Sequence, residues 1–116
     1  MSHGNDTLTT QEYEYTGQLK HNQRHGKGKC NWFNGISYDG EWVKDQRHGK
    51  GKQRYPDGTT YEGEFTNDHP TGQGTKITPD KSVYKGKFKN GKLNGFGKLT
   101  TKDGITHEGY WKNGKP

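Results

Sequence analysis

The sequence predicts an all-β protein, a single-layer, elongated antiparallel β-sheet built as a solenoid of consecutive hairpins. Three observations carry this. Tyr15, Tyr38, Tyr61 and Tyr84 recur every 23 residues. Two places after each comes a glycine (Gly17, Gly40, Gly63, Gly86), and two further a large apolar residue (Leu19, Trp42, Phe65, Phe88). Glycine pairs follow at Gly26/Gly28, Gly49/Gly51, Gly72/Gly74 and Gly95/Gly97, and each unit closes on Asn34-Gly35, Asp57-Gly58, Asp80-Lys81 or Asp103-Gly104. A constant period of a few tens of residues marks one supersecondary unit stacked on the next.

Composition read without order would point the other way. The 116 residues are only 22% hydrophobic, too few for a two-layer core and suggestive of disorder. Order in the chain overrides this. Sixteen of the 19 glycines and eight of the 14 aromatic residues fall on repeat positions. Such arrays present surfaces rather than catalytic pockets.

Taken from the N-terminus, residues 1–14 form a polar segment that precedes the array. Units follow at 15–37, 38–60, 61–83 and 84–106, with a partial fifth at 107–116. The segment Thr9-Thr10-Gln11-Glu12-Tyr13-Glu14 has strand-forming residues and no proline, next to the open edge of the first strand. Open edges invite pairing. It is therefore expected to fold back over that edge or to pair with a partner strand. Strands are expected at 15–19, 28–33, 38–42, 51–55, 61–65, 74–78, 84–88, 97–101 and 107–111.

Within a unit, alternation sets Tyr61, Gly63 and Phe65 on one face and Glu62 and Glu64 on the other. A glycine between two rings leaves room for them against the backbone, a known sheet device. Glycines of the second strand can receive the same rings across the hairpin. The polar stretch Thr66–Thr71 reads as the loop inside a hairpin. Asp57-Gly58 and its equivalents suit the tight type I′ turn. No segment has helical spacing, so no second layer is supplied. The aromatic row Tyr15, Tyr38, Trp42, Tyr61, Phe65, Tyr84, Phe88 and Trp111 is then expected to stay largely uncovered and to bind partners.

The unit resembles the MORN motif, which runs roughly Tyr-x-Gly-x-Trp/Phe, His-Gly-x-Gly, Asp-Gly. Tyr38-Asp39-Gly40-Glu41-Trp42 with His48-Gly49-Lys50-Gly51 and Asp57-Gly58 is a close match. The resemblance covers residues 15–116. Departures are local: Leu19 for the aromatic, Thr71 and Asn94 for the histidine, Lys81 for the turn glycine, His107 for the tyrosine. The resemblance implies a non-enzymatic scaffold or adaptor that docks partner proteins, in a cytoskeletal, ciliary or flagellar assembly. Some members have been linked to phosphoinositides, so a membrane-surface adaptor for anionic phospholipid is the alternative. The expected location is intracellular.

The charge pattern bears on the partner. Net charge is +6, which favours acidic partners. Lys27, Lys29, Lys50, Lys52 and Lys98 fall on the second strands, on the face away from the glycines, and form a basic stripe. The stripe is either a contact line for an anionic partner or one half of cross-strand pairing with Asp39, Glu41, Glu62 and Glu64. A lone cysteine, Cys30, allows no internal disulfide and suits a reducing compartment. There is no long apolar run of the kind a signal peptide or membrane helix needs.

Other chemistry is not supported. His25 and His48 share one repeat position, two strands or ~10 Å apart, too far for one zinc ion. Nothing sets a nucleophile beside a base. Gly26-Lys27-Gly28 lacks the rest of a phosphate loop. No cofactor, metal or nucleic acid is expected.

Overall fold

The computed structural model describes residues 6–116, and its elements are all strands. In order they are β1 (Asp6–Thr9), β2 (Tyr13–Lys20), β3 (Gln23–Trp32), β4 (Ser37–Val43), β5 (Gln46–Arg54), β6 (Thr60–Thr66), β7 (His69–Ile77), β8 (Val83–Lys89), β9 (Lys92–Thr100) and β10 (Thr106–Trp111). They form one sheet in which every strand pairs antiparallel with its sequence neighbours. The molecule measures 51 × 23 × 20 Å. The expected all-β single sheet is what forms.

The N-terminal segment folds back. β1 pairs with β2 so that Leu8 opposes Tyr15 and Asp6 opposes Gly17. Of the two expected outcomes for residues 9–14, the chain covers its own first edge, through the preceding residues 6–9. Residues 1–5 of the polar segment lie outside the described residues.

The two kinds of turn are the reverse of the expectation. Second strands begin at Gln23, Gln46, His69 and Lys92, earlier than expected, so Thr66–Thr71 is not a loop. Its strands are joined by Asn67-Asp68 alone, both left-handed (φ 50° and 72°). His21-Asn22, Lys44-Asp45 and Asn90-Gly91 do the same, and Asn113-Gly114 makes the same turn inside the Lys112–Lys115 bridge. Two consecutive positive φ values define the type I′ hairpin, whose twist matches the strands. Asp57-Gly58 instead belongs to a longer loop, closed by Gly58 N–H donating to Tyr55 O at 3.0 Å, with only Gly58 left-handed. Pro70 is tolerated in β7 because it lies beside the turn. Gly91 and Gly114, which the repeat left unassigned, are the second residues of the type I′ turns.

A single layer buries its rings by closing them over the glycine strands. Strands β2 and β4 are ~10 Å apart with β3 between them. Where β3 offers Gly26 and Gly28, no side chain intervenes. Tyr15 and Trp42 therefore lean together to 5.6 Å between centroids, edge to face. Tyr38 meets Phe65 at 4.9 Å and Tyr61 meets Phe88 at 5.1 Å in the same way. A Cβ placed on Gly28, Gly51 or Gly74 would run into the Tyr15, Tyr38 or Tyr61 ring. Edge-to-face pairs contribute ~0.5–1.5 kcal/mol each beyond the area they bury.

This corrects the expectation that the aromatic row stays uncovered. Tyr15, Tyr38, Trp42, Tyr61, Phe65 and Phe88 are at most 1% exposed and Trp111 is 6% exposed. They are the core itself. Only Tyr84 of the row is half-buried.

Candidate functional site

With the rings buried, the aromatic row is not an open contact surface, and the lysines lie on the opposite face of the sheet. Its register decides between the two readings of the lysines. Lys27 opposes Glu41, Lys29 opposes Asp39, Lys50 opposes Glu64 and Lys52 opposes both Glu62 and Asp39. In the first three units the basic stripe is thus interleaved with acids. These pairs are in register without close contact: among the described residues the ion pairs within 4 Å are Arg24–Asp45 and Arg47–Asp68. Glu41 and Glu64 instead accept the backbone N–H groups of Lys50 and Gln73 at 2.8 and 2.6 Å. Gln18 does the same for Lys27 at 2.7 Å. Each caps a donor freed where the ladder shifts register, as between Gly40 and Trp42.

The fourth unit breaks the pattern. Lys85 and Lys87 stand where earlier units carry Asp39 and Glu41. Lys85 opposes Lys98 directly, so like charges face each other. Residues 81–102 hold seven lysines and no acid, which is more than the whole net charge of +6. Lys98 is the one member of the expected stripe in this uncompensated region, although Glu108 lies on its other side. On the same face, Phe96 and Tyr110 take the positions that Lys27 and Glu41 hold earlier. They oppose each other, 5.5 Å between centroids, and are 54% and 80% exposed. Phe96 and Tyr110 were not singled out from the sequence. The signal was there, as apolar residues at positions that are charged or polar in the other units.

The ring face holds a second feature that the sequence reading missed. Arg24 and Arg47 start β3 and β5 and reach Asp45 and Asp68 in the next turn, with Nε–Oδ1 distances of 2.6 and 2.7 Å. Arg24 also lies over the Tyr13 and Trp42 rings, at 4.1 and 4.4 Å from their centroids. Burial would lower the pKa of Arg24, but its hydrogen bonds to Asp45 outweigh that and raise it. Burial likewise works to raise the Asp68 pKa, and the Arg47 hydrogen bonds hold it below the usual carboxylate range. The equivalents in later units are Pro70/Gly91 and Leu93/Gly114. There only the backbone link survives, Gly91 N–H to Pro70 O at 3.0 Å and Gly114 N–H to Leu93 O at 2.8 Å.

Buried tyrosines are held neutral. Tyr15 donates to Gln18 O at 2.6 Å, and burial pushes its pKa up to about 12. Burial also raises the Tyr38 and Tyr61 hydroxyls, which donate to Glu41 O and Glu64 O at 2.8 Å. The Cys30 thiol is wholly buried and is raised by that burial. Among the described residues no three His, Cys, Asp or Glu side chains gather where a metal ion could sit.

An array of hairpins that buries its rings over glycine strands defines a β-sheet repeat protein. The MORN repeat model matches residues 15–37, 38–60, 61–83, 84–106 and 107–116. The chain therefore belongs to the MORN repeat family, whose repeats mediate protein or membrane interactions. A comparison with curated proteins gives no match.

Proposed function

We propose that this chain is a non-enzymatic scaffold that docks partner proteins on the open face of its fourth and fifth units. The observation that carries the reading is the exposed Phe96–Tyr110 pair, at repeat positions that are charged or polar in the other units. Aromatic side chains left in solvent and packed edge to face supply contact area at small entropic cost. The cytoskeletal, ciliary or flagellar setting rests on family membership, and a tagged chain seen outside those structures would remove it.

A second reading is favoured by the opposed Lys85 and Lys98. Uncompensated lysines beside exposed rings suit an anionic membrane surface, where aromatics sit at headgroup level. Two variants separate the readings. Phe96→Ser/Tyr110→Ser should reduce capture of partners identified with the unmodified chain, while Lys85→Gln/Lys98→Gln leaves most of it. Under the membrane reading the lysine variant loses sedimentation with phosphatidylserine vesicles, and binding of the unmodified chain falls steeply with salt. Full capture by the aromatic variant, folded by its melting curve, would defeat the scaffold site proposed here.

A further inference from the structure

Tyr84 is the tyrosine that does not follow its equivalents. Tyr15, Tyr38 and Tyr61 lie over the glycine across their hairpin and donate to a backbone carbonyl three residues on. At Gly97 the group that an added Cβ would meet is Leu93, 2.9 Å away, and not the Tyr84 ring. Among the described residues the Tyr84 hydroxyl has no carbonyl partner, nor is it a buried unsatisfied group, so it faces water. The cause lies in sequence. Leu93 replaces the arginine of the first two units, and its Cδ atoms lie over Gly97. The ring that belongs there is displaced.

Beside the displaced ring lies a recess of about 260 Å³ on the ring face. It is lined by the half-buried Tyr84 with Lys76, Lys92 and Lys115, while Phe88 and Leu93 beneath are 1% and 2% exposed and present almost no surface. No acidic residue lines it. Lys76 takes the place of Cys30 and Gln53 in earlier units, and its Nζ is 3.4 Å from Gly91 O. Three lysines and a free hydroxyl beside the half-buried Tyr84 ring supply donors for an anion carried on an apolar stem.

We propose that this recess binds an acidic side chain, with its apolar neighbour, from a protein segment docked on the ring face. The proposal rests on the scaffold reading and adds a second contact on the opposite face to Phe96 and Tyr110. Size selects the occupant. About 260 Å³ falls below the ~300–1,000 Å³ of ordinary small-molecule sites and accommodates one or two side chains. Charge agrees, since Lys76, Lys92 and Lys115 line the recess and no acidic residue does.

The test uses the full chain, amide NMR and a short acetylated peptide alternating glutamate with leucine. Saturable shifts should centre on the Gly91, Leu93 and Gly114 amides and the Tyr84 ring. Lys76→Gln/Lys115→Gln should weaken binding about tenfold, the scale expected from losing charged hydrogen bonds. Tyr84→Phe, which keeps the ring and the fold, should weaken it measurably. Lys85→Gln/Lys98→Gln on the opposite face should leave it unchanged. The assignment is overturned if the glutamine version of the peptide binds as well, if the shifts map to Phe96 and Tyr110, or if no saturable shift occurs. A phosphoserine version that alone binds would overturn it in favour of a phosphate site. Partner capture by a Lys76→Gln/Lys115→Gln chain separates the two ideas: retained capture with lost peptide binding leaves the scaffold standing, and capture that fails only in the Phe96/Tyr110 variant leaves the recess unneeded.

Discussion

Arg24 and Asp45 are 21 residues apart in the chain, yet Nε and Oδ1 are 2.6 Å apart, so one hairpin is clasped to the turn of the next. Asp45 also accepts the Arg24 backbone N–H at 3.2 Å and donates its own to Arg24 O at 2.9 Å. Arg47 and Asp68 repeat the clasp. The carboxylates are about two-fifths exposed, so water screens part of the attraction.

Arg47→Ala should therefore cost about 1–2 kcal/mol, between an exposed pair and a fully buried charged hydrogen bond. Asp68→Asn should cost less and should change the pH response. The folded-state pKa of Asp68 is depressed, so its contribution is present above the unfolded value of about 4 and is lost as pH falls through the lower folded value. Urea midpoints measured from pH 6 downward should fall more steeply for the unmodified chain than for Asp68→Asn. Parallel curves would show that the clasp does not contribute to acid sensitivity.

Lys81 supplies a second expectation. It occupies the position of Gly35, Gly58 and Gly104 and adopts φ 68°. Its N–H still donates to Thr78 O at 2.8 Å, so the third turn keeps the geometry of the others despite the missing glycine. A side chain in the left-handed region costs ~1–2 kcal/mol, partly returned by the stiffer unfolded chain. Lys81→Gly should raise stability by about 0.5–1 kcal/mol in urea unfolding. A loss would mean that the Lys81 side chain contributes a contact of its own.

The period alone made the sheet, its hairpins and its ring–glycine pairing legible. Three things were not, each for a physical reason. The type I′ turns were missed because His21-Asn22, Lys44-Asp45 and Asn67-Asp68 contain no glycine, and asparagine or aspartate serves as the left-handed residue. Burial of the rings was missed because alternation gives a face but not whether side chains from alternate strands can close over a glycine strand. The Arg24–Asp45 clasp was missed because it joins adjacent units, while the period was read one unit at a time. The lysine reading separated along the chain: Lys27, Lys29, Lys50 and Lys52 oppose acids, Lys98 opposes Glu108 on one side and Lys85 on the other, and the charge without an opposed acid sits at Lys85 and Lys87.

The fold-back of β1 gives a third expectation. With Leu8 opposite Tyr15, β2 becomes an interior strand. Removing residues 1–9 would return it to the edge without touching β4 through β10. Hydrogen exchange at residues 13–20 should then speed up, while β6 amides keep their protection. Equal protection of β2 before and after removal would show that β1 does not shield it.

The last expectation compares two glycines at the same repeat position. Gly51 lies under the Tyr38 ring, and that ring is wedged between Trp42 and Phe65 at 5.0 and 4.9 Å. A Cβ there would strike the ring, which has nowhere to go. At Gly97 the obstacle is the tip of Leu93, with Cδ2 at 2.9 Å and the nearest backbone atom, Lys85 O, at 3.4 Å. A leucine terminus can rotate, and the recess beside Tyr84 gives it room. Gly51→Ala should thus cost about 2–3 kcal/mol, as overpacking of a tight core does, and Gly97→Ala no more than about 1 kcal/mol. Urea unfolding of both variants reads the difference. Equal losses would mean that the fourth unit is packed as tightly as the second, and that Tyr84 is not displaced in solution.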